Sequence, residues 1–153
     1  MFKKQTQIPS AEEVIAAQPL PQSLKKIKAE RDTLAKDVIA GRTNKLLVVV
    51  GPCSAHESAP VLEYVRRLGK LNERVKEKLV LVPRVYTNKP RSKGVGYKGM
   101  FSQPNPETRV DILNGIRSIR ELHIRAVEES GLCSADEMLY PENFAYLEDI
   151  ISY

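Results

Sequence analysis

Leu46-Leu47-Val48-Val49-Val50-Gly51-Pro52 decides how the chain is read. The apolar run has no polar break, ends in β-branched residues and stops at Gly-Pro. That is the pattern of a strand buried on both faces, as in a parallel sheet. Beyond it, Val61, Leu62, Val65, Leu68, Leu71 and Val75 recur at helical spacing and predict a helix over 58–77. Leu79-Val80-Leu81-Val82-Pro83-Arg84-Val85 predicts a second buried strand. Pro83 cannot donate a ladder hydrogen bond, so this strand is expected to end or bulge near Arg84. Ile112, Leu113, Ile116, Ile119, Leu122 and Val127 predict a helix over 109–129, closing at Gly131. Cys133 to Met138 is expected to form a third strand, and Pro141 to Ile151 a short final helix.

Ahead of this pattern, residues 1–44 are polar and punctuated by Pro9, Pro19 and Pro21. Ser10, with Glu12 and Glu13 after it, reads as a helix start. Ser23 is expected to cap a second helix carrying Leu24, Ile27, Leu34, Val38 and Ile39 on one face, with Gly41 as its stop. That stripe either packs on its own domain or meets another subunit. The order is a helical lead-in followed by β-α-β-α-β-α. Such alternation predicts an α/β fold with a parallel sheet and right-handed crossovers. Chemistry in such folds gathers at the carboxyl ends of the strands. Those ends are Gly51 to Glu57, Arg84 to Gly99, and Asp136-Glu137.

The 153 residues are 42% hydrophobic and 28% charged, with a formal charge of +5, which excludes a disordered or fibrous chain. The length fits one domain with one core. No run of roughly 18 apolar residues is present, so no membrane-spanning helix is expected. Met1-Phe2-Lys3-Lys4-Gln5 is not followed by an apolar signal core, so secretion is not expected. Cys53 and Cys133 make no disulfide framework, and a reducing cytoplasm is the expected compartment.

Between Glu77 and Glu107 there is no acidic residue, while Lys78, Arg84, Lys89, Arg91, Lys93 and Lys98 lie there. Arginine offers a planar fork to phosphate or carboxylate, and lysine a mobile point charge. A phosphorylated small molecule is the ligand this suits best. A solvated loop and a nucleic-acid contact are the alternatives. The latter has only Tyr86, Tyr97 and Phe101 for stacking. Cys53 follows the first strand and is a candidate metal ligand, nucleophile or structural thiol. His56 stands at Cys-x-x-His spacing from it, beside Glu57. Cys133 reads as core. Asp136 and Glu137 alternate across a strand, so at most one faces the site.

Leu46 through His56, Arg84-Val85-Tyr86, Lys89-Pro90-Arg91 and Gly96-Tyr97-Lys98-Gly99 together resemble type I 3-deoxy-D-arabino-heptulosonate 7-phosphate (DAHP) synthase, the phospho-2-dehydro-3-deoxyheptonate aldolase family. The resemblance runs from about residue 10 to residue 153. It implies a transferase of the shikimate pathway to chorismate and the aromatic amino acids. The reaction condenses phosphoenolpyruvate with erythrose 4-phosphate and water and releases phosphate. The implied fold is a (β/α)8 TIM barrel. Residues 1–44 would be a helical extension used in oligomerisation and regulation. Residues 45–153 would be the first part of the barrel, about three β/α units.

The resemblance further implies Cys53 as ligand to a divalent metal of the manganese, iron, cobalt or zinc class. It makes His56 a non-ligand. Arg84 and Lys89 would hold phosphoenolpyruvate, with Lys89 also at the reacting centre. Lys89, Pro90, Arg91 and Ser92 would clasp erythrose 4-phosphate. Glu137 would be an acid near the site. A homo-oligomer and feedback inhibition by an aromatic amino acid are implied, with no nucleic-acid or membrane partner. The family segment Lys-Pro-Arg-Thr-Thr-Val-Gly-Trp-Lys-Gly differs here. Ser92 replaces Thr, Tyr97 replaces Trp, and the loop is one residue longer around Lys93-Gly94. Glu57 stands where Asp is common. In the family a His, a Glu and an Asp from later strands complete the metal site. The 153-residue polypeptide by itself is therefore expected to be inactive. The alternative is a non-catalytic remnant or interaction module that keeps the anion-binding loop.

Overall fold

A computed structural model describes residues 7–88, 96–138 and 140–153. Helix α1 spans Ala11–Ala17 and α2 Gln22–Ile39. Strand β1 (Leu46–Val50), α3 (Ser58–Val75), β2 (Leu79–Pro83) and α4 (Ile112–Ser130) follow, then a 3-10 helix over Pro141–Tyr146. The strands pair in parallel, with Leu46 opposite Leu79 and Val50 opposite Pro83. Helix α3 makes the crossover between them and packs on α4. Among the described residues no helix is long and apolar enough to cross a membrane.

The start of α1 follows its sequence signal. Ser10 Oγ accepts from Glu13 N, and Glu13 reaches back to Ser10 N, a reciprocal capping box. Helix α2 departs from expectation. It starts at Gln22, and Pro21 rather than Ser23 is its N-cap. Leu24 N and Lys25 N both bond to Pro21 O, at 2.9 and 3.1 Å, so the helical ladder is already under way when Ser23 is reached. The stripe of α2 divides. Leu24 joins Leu20, Val61, Ile119 and Leu122 in the core. Leu34 and Ile39 remain exposed.

The strand expected to be buried on both faces is not. Val48 and Val50 pack toward Leu68, Leu81 and Leu132. Leu46 and Val49 are 66% and 46% exposed. Among the described residues β1 pairs only with β2, so its outer edge has no partner strand. Strand β2 fits the expectation, since Val80, Leu81 and Val82 are buried. It ends at Pro83, where the missing donor predicts an end.

The expected third strand reduces to one parallel bridge, Arg84 with Ala135. Val85 N bonds Ala135 O and Ala135 N bonds Pro83 O, each at 2.8 Å. Beyond that pair the segment turns to other partners. Ser152 N bonds Ser134 O at 2.8 Å, and Asp136 N bonds Tyr153 O at 3.0 Å. The final helix is likewise shorter than expected. It is 3-10 over Pro141–Tyr146, and tight turns onto Leu147 O carry the chain to Ile151.

The core also holds an arginine. Arg120 on α4 is fully buried. It donates to Gln18 O (2.6 Å), Tyr146 O (2.9 Å) and both Asp149 carboxylate oxygens (2.7 and 2.8 Å). A buried guanidinium is tolerated only when paired in this way. Here it ties the end of α1 to α4 and to the residues after the 3-10 helix.

Candidate functional site at the carboxyl ends of the strands

The three segments expected at the strand ends do meet. Ala55 N, two residues past Cys53, bonds Tyr86 O at 2.7 Å. Arg84 N continues the ladder to Val50 O at 2.9 Å. Arg84 Nη2 donates to Pro52 O at 2.8 Å, and Nη1 donates to Glu137 Oε1. Its guanidinium carbon lies 5.1 Å from the Tyr86 ring centroid, within cation–π range. The Arg84 side chain is 26% exposed, so its charge sits at the mouth of the strands and not in the core. Pro52 O and the Tyr86 ring hold its direction, and Glu137 occupies Nη1. That is what pre-organised recognition of a phosphate or carboxylate needs.

Asp136 and Glu137 face opposite ways, as alternation predicts. Glu137 turns out to Arg84 and Asp136 turns in. Asp136 Oδ1 accepts from Thr87 N at 2.9 Å and from Glu137 N at 2.8 Å. Its Oδ2 accepts from Thr87 Oγ1 and lies 3.1 Å from His123 Nε2. His123 Nδ1 lies 2.7 Å from Ser134 Oγ. Asn88 donates to Thr87 Oγ1, accepts from Asn143 Nδ2, and bridges to Gly99 across the loop. Sequence reasoning missed the grouping of His123, Ser134, Thr87 and Asn88. One signal was available. His123 lies four residues after Ile119 on α4, so it falls on the buried face and must find partners there.

Cys53 is exposed and Cys133 buried, and neither is in a disulfide. His56 stacks on Tyr97 with ring centroids 4.6 Å apart. Tyr97 Oη donates to Ala55 O at 3.4 Å, and burial pushes its phenol up to about 12. Ser54 Oγ, beside Cys53, is buried without a hydrogen bond. Lys89, Pro90, Arg91 and Ser92 lie outside the described residues.

Metal sites take three or more protein donors. Among the described residues, no three His, Cys, Asp or Glu side chains stand together in that way. Cys53 can be one soft donor, but the described residues do not make up a set.

A sequence profile of the DAHP synthetase I family matches residues 19–153. The chain belongs to the DAHP synthetase I family. It is 39% identical over 142 residues to the Tyr-sensitive phospho-2-dehydro-3-deoxyheptonate aldolase of Salmonella typhimurium, covering 93% of this chain and 39% of that protein. It is 36% identical over 148 residues to the phospho-2-dehydro-3-deoxyheptonate aldolase of Corynebacterium glutamicum, covering 96% and 40%. Its fold matches the solved phospho-2-dehydro-3-deoxyheptonate aldolase of Francisella tularensis with a TM-score of 0.87 and 28% identity. That match covers 99% of this chain and 44% of the other. The chain thus spans about two fifths of these DAHP synthetase I relatives. The family resemblance read from Gly51-Pro52-Cys53-Ser54 and Arg84-Val85-Tyr86 is borne out.

Proposed function

We propose that this chain forms the phosphoenolpyruvate-binding side of a 3-deoxy-7-phosphoheptulonate synthase. The observation that carries the proposal is Arg84, held at the strand ends between Pro52 O and Glu137 in a chain of the DAHP synthetase I family. Its guanidinium binds the phosphate of phosphoenolpyruvate. The Tyr86 ring keeps the plane of the guanidinium fixed, and Glu137 yields its place to the incoming anion. Lys89 and the Pro90-Arg91-Ser92 segment serve the reacting centre and erythrose 4-phosphate, on the strength of the family resemblance. Cys53 is one donor to a divalent metal, the others being, on the strength of the family resemblance, a His, a Glu and an Asp from later strands.

On this proposal residues 45–153 are the opening β/α units of a (β/α)8 barrel, and residues 1–44 an extension used in assembly and control. Relatives carry Tyr-sensitive and Phe-sensitive in their names, which supports control by an aromatic amino acid. The cytoplasm is the compartment of such a biosynthetic enzyme. A second proposal, an interaction module without catalysis, draws support from the uncovered Leu46 and Val49.

Calorimetric titration of the chain with phosphoenolpyruvate tests the proposal, with pyruvate as the analogue that lacks the phosphate. Saturable one-to-one binding, at least about tenfold tighter than pyruvate, is expected from a charge-assisted phosphate contact. Equal, unsaturable heats for both would contradict it and favour the interaction module.

A further inference from the structure

We infer that Asp136, braced by His123 and Ser134, is a positioning residue for the anion site. It holds the segment Arg84 to Asn88 in its ligand-binding shape without touching the ligand. The inference deepens the proposed phosphoenolpyruvate site and rests on it for its functional consequence.

Ser134, His123 and Asp136 superficially match a nucleophilic triad. Burial rules that out, since Ser134 and His123 are 0% exposed and no substrate can reach the hydroxyl. What the cluster does is structural and directional. The Asp136 side chain is also 0% exposed. A buried carboxylate is costly unless its oxygens are hydrogen-bonded, and here each accepts two contacts. Two of those contacts come from Thr87, one through its backbone amide and one through its hydroxyl. Thr87 is three residues past Arg84. With its backbone pinned, Tyr86 O is aimed at Ala55 N and Thr87 O at Phe101 N, at 2.7 and 3.4 Å. Asp136 also precedes Glu137, the partner of Arg84. One buried carboxylate therefore sets the loop after β1, the exit of β2 and the partner of Arg84 together.

His123 has a defined part. Ser134 Oγ–H can donate to Nδ1 while Nε2–H donates to Asp136, which satisfies a neutral ring on both sides. The ring and the Thr87 hydroxyl then share Asp136 Oδ2.

The experiment compares Asp136→Ala and Asp136→Asn with the unsubstituted chain by two readouts. These are phosphoenolpyruvate affinity and amide hydrogen exchange at Ala55, Phe101, Val85 and Ile119. The carboxamide of Asp136→Asn can still accept from Thr87 N–H, so it is the conservative rescue. Asp136→Ala is expected to weaken phosphoenolpyruvate binding about tenfold, the scale of supporting contacts around a site. Exchange at Ala55 and Phe101 should rise while Val85 and Ile119 stay protected. Asp136→Asn should keep both readouts within about threefold, since its acceptor is retained. Unchanged affinity in Asp136→Ala, or equal loss of protection at all four amides, overturns the inference. Should Asp136→Ala not fold, Thr87→Val removes the hydroxyl contact alone. It should selectively loosen Ala55 and Phe101, and no change there overturns the inference too. If the unsubstituted chain binds no phosphoenolpyruvate, the proposed function fails. The exchange pattern then still decides whether Asp136 positions the segment.

Discussion

A β-carbon placed on Gly51 would stand 1.8 Å from the carbonyl oxygen of Arg84 and 2.7 Å from its carbonyl carbon. The backbones at the ends of β1 and β2 touch there, and only a residue without a side chain permits it. The contact explains why the apolar run stops at a glycine and not at any polar residue. It also sets Arg84 directly beside the Pro52-Cys53 turn.

Gly51→Ala should therefore act on stability and site together. The neighbour is backbone and cannot swing aside, so the strand ends must part. Overpacking of this kind costs about 1–3 kcal/mol, enough to lower the thermal midpoint by several degrees. A thermal melt of the purified variant checks this. An unchanged midpoint would mean that the two strand ends do not meet as described.

Glu137→Gln should tighten anion binding. Glu137 is 48% exposed and pairs with Arg84 from the solvent side. Such exposed pairs are worth about 0–1 kcal/mol. Releasing Arg84 from its carboxylate should lower the dissociation constant for phosphoenolpyruvate by up to about fivefold, most clearly at low salt. Weaker binding in the variant would instead make Glu137 a contributor to the ligand contact.

The two thiols should react in a fixed order. Cys53 is exposed, whereas Cys133 is 2% exposed and burial pushes its thiol above its ordinary value. Thiolates, not thiols, are alkylated. Brief iodoacetamide treatment of the folded chain followed by peptide mass spectrometry should find the adduct on Cys53. Modification of both at equal rates would show that the core around Cys133 opens.

Much of this was legible in particular residues, and the failures have physical causes. The run from Leu46 to Val50 and the stop at Pro83 located both strands, because donor loss and apolar continuity are local properties. Ser10 with Glu13 gave the start of α1 for the same reason. Ser23 misled because Pro21 had already opened the helix. The expected strand over Cys133 to Met138 failed because Asp136 bonds to Thr87, His123 and Tyr153, and Ser134 O accepts from Ser152 N. No local pattern announces partners so far along the chain. Arg84 and Cys53 were placed correctly at the strand ends, since that followed from strand direction. The burial of Arg120 was not legible, because its acceptors come from Gln18, Tyr146 and Asp149.

Alkaline pH should destabilise the fold in a defined window. Burial pushes Tyr97 up to about 12 from its ordinary value of 10.0. Tyr146 and Tyr153 shift the same way, each led by burial. The folded state then keeps protons that the unfolded chain releases. The stabilisation is fully present below the ordinary value of 10.0 and is lost as pH rises through about 12. Denaturant melts across that range should show stability level and then falling, and Tyr97→Phe should flatten the fall. A fall just as steep in Tyr97→Phe would assign it to other groups.

The most direct test compares phosphoenolpyruvate titrations of Arg84→Ala and Lys78→Ala with the unsubstituted chain. Both variants remove one positive charge, but Arg84 follows the end of β2 and Lys78 precedes its start. Binding weakened by at least about tenfold in Arg84→Ala and nearly unchanged in Lys78→Ala is the predicted result, as expected for a directed contact to phosphate. Equal loss in both would reduce the interaction to net charge. It would contradict a phosphoenolpyruvate site at the carboxyl ends of the strands.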